Sequence, residues 1–163
     1  MKHIIALLLE NEPGALSRVV GLFSARGYNI ESLTVAEVDR AKHLSRITVV
    51  TSGTPAVIEQ IRAQLGRLVP VHRVIDITVE KPGIERELAL IKVAGTGEKR
   101  VEAMRVSQIF RARVLDTTHL SFVFEITGTP SKIDAFMDLM RPLGLVEVSR
   151  TGVAAISRGA EPM

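Results

Sequence analysis

Hydrophobic positions in the first half of the chain follow two different spacings, and each change of spacing marks a new element. The run Lys2 to Leu9 is apolar from Ile4 onward and has the length of a strand. The next segment, Gly14 to Arg26, has apolar residues at i, i+3, i+4 and i+7, the spacing of an amphipathic helix. In chain order the pattern predicts a strand at 2–9, a helix at 14–26, strands at 28–38 and 44–51, a helix opened by Thr54 and Pro55, and a strand at 71–80.

The second half of the chain repeats this plan. Gly53-Thr54-Pro55 precedes a helix face and a strand, and Gly128-Thr129-Pro130, 75 residues later, precedes the same spacing of apolar residues. A strand at 87–93, a helix at 99–110 and strands at 113–118 and 121–127 come before this second copy. The prediction is an α+β protein of two ferredoxin-like βαββαβ units, each a four-stranded antiparallel sheet with two helices on one face.

A charged segment that contains Pro82 and Gly83 interrupts both periodicities and predicts the boundary between the units. We assign residues 1–79 to the first domain, residues 80–84 to a linker and residues 85–163 to the second domain. Each domain is close to the lower size limit for a stable core, and each sheet has an open face and edge strands. We therefore expect docking or dimerisation.

Composition excludes several classes of function. The 163 residues contain no cysteine, and the four histidines lack metal-ligand spacing, so we expect no metal site. The 21 basic and 18 acidic residues are interleaved, which argues against a nucleic-acid surface. No apolar run reaches the roughly 18 to 20 residues of a membrane span, and no leader pattern precedes the first strand. We therefore expect a cytoplasmic protein without a membrane partner.

No group of residues has the pattern of a catalytic site. Ser17 has no histidine or aspartate nearby in sequence to activate it. The segment Gly95-Thr96-Gly97 lacks the third glycine and the acidic residue of a dinucleotide-binding motif. We therefore predict no catalytic residue in this chain.

The junction between the first strand and the first helix is typical of a small-anion site. Gly14 lets the backbone approach a ligand, and the unpaired amides of the first helical turn favour a carboxylate. An amino acid would also need acceptors for its ammonium group and an apolar pocket for its side chain. The residues that could supply these groups are Asn11, Gly14, Ala15, Leu16, Asn29 and Ile30. Asn29 has a second interpretation, as a turn-forming residue before a strand.

These two segments also carry a family resemblance. The stretch from Leu8 to Phe23, LLENEPGALSRVVGLF, and the stretch from Arg26 to Val35, RGYNIESLTV, closely resemble the ACT domain of the regulatory small subunit of acetolactate synthase (acetohydroxyacid synthase). The resemblance continues through Leu44-Ser45-Arg46, Arg86-Glu87-Leu88, Ile109-Phe110-Arg111, Ser149-Arg150-Thr151-Gly152 and Ser157-Arg158-Gly159. It covers essentially the whole chain, and implies an ACT domain followed by a smaller ACT-like C-terminal domain.

The resemblance implies a regulatory role in branched-chain amino-acid biosynthesis. Small subunits of this family form a homodimer through their ACT domains, activate a catalytic large subunit and confer feedback inhibition by the effector valine. Thiamine diphosphate, Mg and FAD are then expected on the catalytic partner, and no cofactor on this chain. Carried over to this sequence, the effector site at the dimer interface consists of Asn11, Gly14, Ala15 and Leu16 of one chain with Asn29 and Ile30 of the other.

Two alternatives belong to other classes. A stand-alone ACT-type amino-acid sensor or transcription regulator would bind a similar ligand without a catalytic partner. Such a regulator would usually carry a helix-turn-helix segment, and the sequence has no recognisable one. A ferredoxin-like enzyme would need a polar constellation on its open sheet face. The preference among valine, leucine and isoleucine is left open by the sequence.

Overall fold

The computed structural model describes residues 1–80 and 82–163. The chain forms two compact units, one made of Met1–Ile84 with Val153–Met163 and the other of Glu85–Gly152. In each unit two helices pack on one face of an antiparallel sheet, as predicted. The first sheet has the predicted four strands, whereas the second has five, because a short C-terminal strand pairs with one of its four main strands. Within the described ranges, no helix is long and apolar enough to cross a membrane.

The first unit has the predicted βαββαβ order. Its sheet has the strand order β2-β3-β1-β4, which leaves β2 and β4 at the edges. Its main core lies between the sheet and the two helices, and includes Ile5, Leu7, Val19 and Phe23. The elements are β1 (Lys2–Glu10), α1 (Ala15–Arg26), β2 (Ser32–Asp39), β3 (Leu44–Ser52), α2 (Pro55–Gly66) and β4 (Val71–Asp76).

The second unit repeats the same topology. Its elements are β5 (Gly83–Ala94), α3 (Gly97–Ile109), β6 (Arg113–Thr117), β7 (Ser121–Gly128), α4 (Pro130–Met140) and β8 (Leu145–Arg150), with a 3-10 turn at Arg141–Leu143. The strand order β6-β7-β5-β8 matches that of the first sheet position by position. Phe124 and Phe136 pack edge to face in its core, with ring centroids 6.0 Å apart.

The repeated Gly-Thr-Pro segments begin equivalent helices. Thr54 precedes α2, and its side chain accepts a hydrogen bond from the Val57 amide at 3.3 Å. Thr129 precedes α4 and accepts from the Lys132 amide, also at 3.3 Å. In both helices proline follows the threonine, at a position where its missing amide hydrogen costs no hydrogen bond. The sequence repeat is therefore a structural repeat.

Two predicted strands extend beyond the observed ones, and one observed strand begins earlier than predicted, since β5 starts at Gly83, inside the predicted linker, and not at residue 87. The strand predicted from residue 28 begins at Ser32. The strand predicted to reach residue 80 ends at Asp76, because the Asp76 side chain accepts from the Thr78 amide at 2.9 Å and starts a turn. The apolar residues beyond these ends extended the predicted strands, since hydrophobic spacing alone does not report local side-chain hydrogen bonds.

The C-terminal residues 153–163 belong to the first compact unit, whereas the sequence placed them in the second domain. They include a ninth strand, β9 (Ala154–Ser157), that was not predicted. Val153 and Ala155 are buried on the first sheet with Ala6 and Ile75. Its residues Ala154-Ala155-Ile156 do not alternate between apolar and polar, so the pattern gives no strand signal there. The face that was predicted to be open is therefore partly covered.

Candidate functional site

The junction between β1 and α1 has the backbone of an anion-binding turn. Gly14 lies in the left-handed region, with φ 84° and ψ −9°, and no side chain caps the helix. The Ala15 amide donates within the turn, to the Glu12 carbonyl at 3.3 Å. Helix geometry leaves the amides of Leu16 and Ser17 without an acceptor in their own helix. These two amides are therefore the donors that the first turn of α1 leaves available.

Asn11 contacts a residue that the sequence analysis did not include. Its side-chain amide donates to Oε2 of Glu37 at 2.6 Å, and its backbone amide donates to the His43 carbonyl at 2.7 Å. Glu37 lies on β2, and its other carboxylate oxygen is 3.4 Å from Nε of Arg40. A carboxylate therefore stands beside the predicted anion site. Only the pairing of strands reveals this neighbour, since 26 residues separate Asn11 from Glu37.

Asn29 and Ile30 lie just before β2. The Asn29 carbonyl accepts a hydrogen bond from Oγ1 of Thr51 at 2.7 Å, which ties this segment to β3. Asn29 is exposed, whereas Ile30 is half-buried and packs against the main core of the first unit. Among the described residues, positive φ outside glycine occurs only at His43 and Arg111. Asn29 is therefore not a left-handed turn residue.

Glu31 anchors the start of β2 and was also missed by the sequence analysis. Its carboxylate accepts from Oγ of Ser52 at 2.6 Å and pairs with Nζ of Lys2 at 3.1 Å. Its backbone amide donates to the Val50 carbonyl at 2.8 Å. The hydrogen bond from Ser52, followed by the contact with Lys2, lowers the pKa of Glu31. The backbone next to Asn29 and Ile30 is thus held at several points.

Within one chain, the predicted effector residues lie in two separate groups. Asn11, Gly14, Ala15 and Leu16 lie at the start of α1, and Asn29 and Ile30 lie just beyond its end. A helix of 12 residues is about 18 Å long at 1.5 Å per residue. Valine is much shorter than this distance. The two groups can therefore hold one small ligand only if they come from different chains.

A buried hydrogen-bonded pair lies away from both groups. Nδ1 of His3 and Oδ2 of Asp76 are 2.7 Å apart, and the two side chains are 7% and 3% exposed. The pair joins the beginning of β1 to the end of β4, whereas the β1–α1 junction follows the other end of β1. Its role in this arrangement is to link two strands.

Two family models together match almost the whole chain. The model described as "AHAS small subunit-like ACT domain" matches residues 5–73, and the model described as "Small subunit of acetolactate synthase" matches residues 86–159. The chain belongs to the acetolactate synthase small-subunit family. Both predicted groups of effector residues lie inside the ACT segment. The resemblance seen in the sequence is thus confirmed.

Individual relatives match over their full length. The chain is 49% identical to the "Probable acetolactate synthase small subunit" of Archaeoglobus fulgidus, over 98% of each protein. It is 47% identical to the "Acetolactate synthase isozyme 3 small subunit" of Escherichia coli, over 100% of this chain and 99% of the relative. The crystal structure of the acetolactate synthase small subunit from Thermotoga maritima superposes with a TM-score of 0.87 at 36% identity, covering 99% of both chains. The two-unit architecture is therefore that of the family.

Proposed function

We propose that this chain is the regulatory subunit of acetolactate synthase in branched-chain amino-acid biosynthesis. It activates a catalytic large subunit that carries thiamine diphosphate, Mg and FAD, and it transmits feedback inhibition by valine. Membership of the small-subunit family supports the partner. The geometry of β2, together with the separation of the two groups along α1, supports an effector site between two protomers.

β2 is an edge strand, and it runs from one group of effector residues to the other. It begins two residues after Ile30, and near its other end Glu37 contacts Asn11. If two protomers pair their β2 edges in antiparallel fashion about a two-fold axis, the start of each strand lies beside the end of the other. The exposed side chains of Val35 and Val38 on this edge, 44% and 55% accessible, would gain cover. Such a homodimer assembles two equivalent effector sites.

The residues at this interface match the three chemical groups of valine. The carboxylate binds the free amides of Leu16 and Ser17 at the positive end of the α1 dipole. The ammonium group binds oxygen atoms of Glu37 and Asn11, which lie together. The apolar side chain of Leu16, which is 41% exposed, packs against the isopropyl group together with the partner's Ile30.

The proposed regulation requires only a modest coupling between sites. An allosteric coupling of about 1 to 3 kcal/mol changes affinity some 5- to 150-fold, which is sufficient for feedback control. A ligand as small as valine supplies no more than about 1.5 kcal/mol per heavy atom, so little remains for folding a site on binding. The αL turn at Gly14 and the anchored start of β2 provide a preformed site instead.

The test is calorimetric titration of the purified chain with valine, leucine and isoleucine, alone and with its catalytic partner. We expect saturable valine binding that Gly14→Asp abolishes, because the new carboxylate repels that of the ligand. Gly21→Asp is the matched control, since it places the same charge on the exposed face of α1, away from the turn. Activity of the mixed subunits gives the second readout. Valine binding that Gly14→Asp leaves unchanged would exclude this site, and failure to activate the large subunit would exclude the regulatory role.

A further inference from the structure

The C-terminal segment crosses the sheet face opposite the helices of the first unit. Side chains alternate across a strand, so Ala6 and Val50 point away from the face that holds Ile5 and Val49. Residues 153–157, which we call the strap, cover this second face. Val153 is 4% exposed and packs there with its neighbours in the strap.

Side chains of the sheet hold the backbone of the strap. The Val153 amide donates to Oγ of Ser32 at 2.9 Å, and Oγ1 of Thr34 donates to the Val153 carbonyl at 3.3 Å. Nη2 of Arg46 donates to the Ala155 carbonyl at 2.7 Å. Arg46 is half-buried, and this burial lowers the pKa of its guanidinium group. The backbone N–H and C=O groups of Val153 are therefore both hydrogen-bonded to hydroxyl groups of β2.

Those two hydroxyl groups belong to the strand that begins at the proposed effector site. Ser32 is two residues from Ile30, and Thr34 lies on the same face two residues further. Between them and the site, Glu31 is bonded to Val50 and Ser52 on β3. A change in the position or mobility of Asn29 and Ile30 therefore reaches Ser32 through a short, hydrogen-bonded backbone.

The strap is also where the chain returns from the second unit. The second compact unit ends at Gly152, and Val153 is the next residue. On its other side the strap packs closely against Gly83, where a Cβ atom would overlap the Ile156 carbonyl oxygen and approach Cγ2 of Ile77. The segment that β2 holds is thus a covalent continuation of the second unit.

We propose that effector binding changes the mobility of the strap. Ser32 and Thr34 are the positioning residues that transmit this change from the effector site to the strap. The inference rests on the proposed function, because it requires an effector at Asn29 and Ile30. Effector binding restrains the start of β2, which holds the two hydroxyl groups in place and tightens the strap. Loss of the hydroxyl groups leaves the effector bound but weakens its effect beyond the first unit.

The experiment is hydrogen exchange of the full chain, measured by mass spectrometry with and without saturating valine. We expect valine to slow exchange in peptides that cover residues 153–157 by about 5-fold or more, the lower limit of a typical coupling. In the double variant Ser32→Ala and Thr34→Val, valine still binds by calorimetry, but the slowing is lost and inhibition at saturating valine is weaker. Ser32→Thr with Thr34→Ser keeps both hydroxyl groups and is the matched control, which should restore both readouts.

The outcomes separate this inference from the proposed function. Valine binding without a change in hydrogen exchange of the strap overturns the proposed coupling and leaves the proposed effector site standing. Absence of valine binding, in the chain and in its complex, overturns both. Should the double variant fail to fold, Gly83→Ala replaces it, since it displaces the strap at Ile156 without altering β2. Inhibition as strong as in the unaltered chain, with the strap displaced, would then count against the proposal.

Discussion

Both carboxylate oxygens of Glu87 accept hydrogen bonds from the guanidinium group of Arg150. Nε contacts Oε1 and Nη2 contacts Oε2, each at 2.8 Å, and Glu87 is only 5% exposed. Hydrogen bonding to Glu87 is the largest cause that raises the pKa of Arg150, and Nη1 of Arg150 also donates to Oδ1 of Asp134 at 2.7 Å. This fork joins β5 to β8 in the second unit.

The fork predicts a large effect of Arg150 on stability. Arg150→Met leaves a buried carboxylate without its partner, and we expect the free energy of unfolding to fall by about 3 kcal/mol. Adding Glu87→Gln should recover much of the loss, because the unpaired charge is removed. Asp134→Asn is the control and should cost less than about 1 kcal/mol, since Asp134 is 59% exposed. Urea denaturation measures the free energy of unfolding of all three variants. Equal losses for Arg150→Met and Asp134→Asn would show that the pair of Glu87 and Arg150 is not the main stabilising contact.

Gly144 is predicted to tolerate no side chain. Its φ is 106°, and a Cβ atom would overlap the Ala94 carbonyl oxygen. Gly144→Ala should destabilise the second unit by about 1 to 3 kcal/mol, since backbone strain and displacement of β5 both contribute. Gly21→Ala is the control, because Gly21 lies inside α1 with open space around it. That change should stabilise the chain by about 0.5 to 1 kcal/mol. Thermal unfolding of both variants tests the contrast.

Glu37 is predicted to contribute to valine binding. Glu37→Gln removes the negative charge beside Asn11 that would bind the ammonium group, and we expect valine affinity to fall about 10-fold, or 1.4 kcal/mol. Arg40→Ala should leave affinity nearly unchanged, because the Arg40 side chain is 93% exposed and pairs with the oxygen of Glu37 that does not contact Asn11. Calorimetry on the full chain measures both. Equal affinities for Glu37→Gln and the unaltered chain would remove Glu37 from the site.

Asn29 distinguishes the two interpretations of its segment. Its side chain is exposed, so Asn29→His should leave the fold intact and reduce valine inhibition by removing a polar contact across the dimer. Asn29→Asp keeps the size and the turn-forming capacity but adds a negative charge at the proposed effector site. We expect both variants to lose inhibition of the mixed subunits. If the Asn29→Asp variant is inhibited like the unaltered chain while Asn29→His unfolds the chain, Asn29 is a turn residue only.

The lowered pKa of Glu31 predicts that the folded chain loses stability in acid. Ser52 and Lys2 lower the pKa of Glu31 below its ordinary value of 4.5, so the folded chain binds the proton less readily than the unfolded chain. This contribution is fully present above pH 4.5 and is lost as the pH falls through the folded pKa. For a surface pair it should amount to less than about 1 kcal/mol. Denaturation from pH 7 to pH 3 should show Glu31→Gln converging with the unaltered chain at the acid end, and Ser52→Ala should reduce the same pH dependence.

Much of this protein follows from the sequence because the forces that decide it are local or periodic. Helices and strands appear in the spacing of apolar residues, and the repeated Gly-Thr-Pro segments appear as two threonine-capped helices. The turn at Gly14 was predictable, since few other residues adopt its left-handed conformation at low cost. The small-subunit family was also recognisable from contiguous motifs, and the family models confirm it.

The tertiary structure decided what depends on contacts between distant residues. Glu37 contacts Asn11 because β3 lies between β2 and β1 and aligns them. The strap belongs to the first unit because its apolar residues pack on the sheet face that the helices leave uncovered. No periodicity records such contacts, because 26 residues separate Glu37 from Asn11 and 121 separate Val153 from Ser32. Local spacing and turn chemistry therefore account for the two βαββαβ units and for the turn that we propose binds a carboxylate. The packing of the chain decided which charges stand beside that turn and which segment covers the sheet behind it.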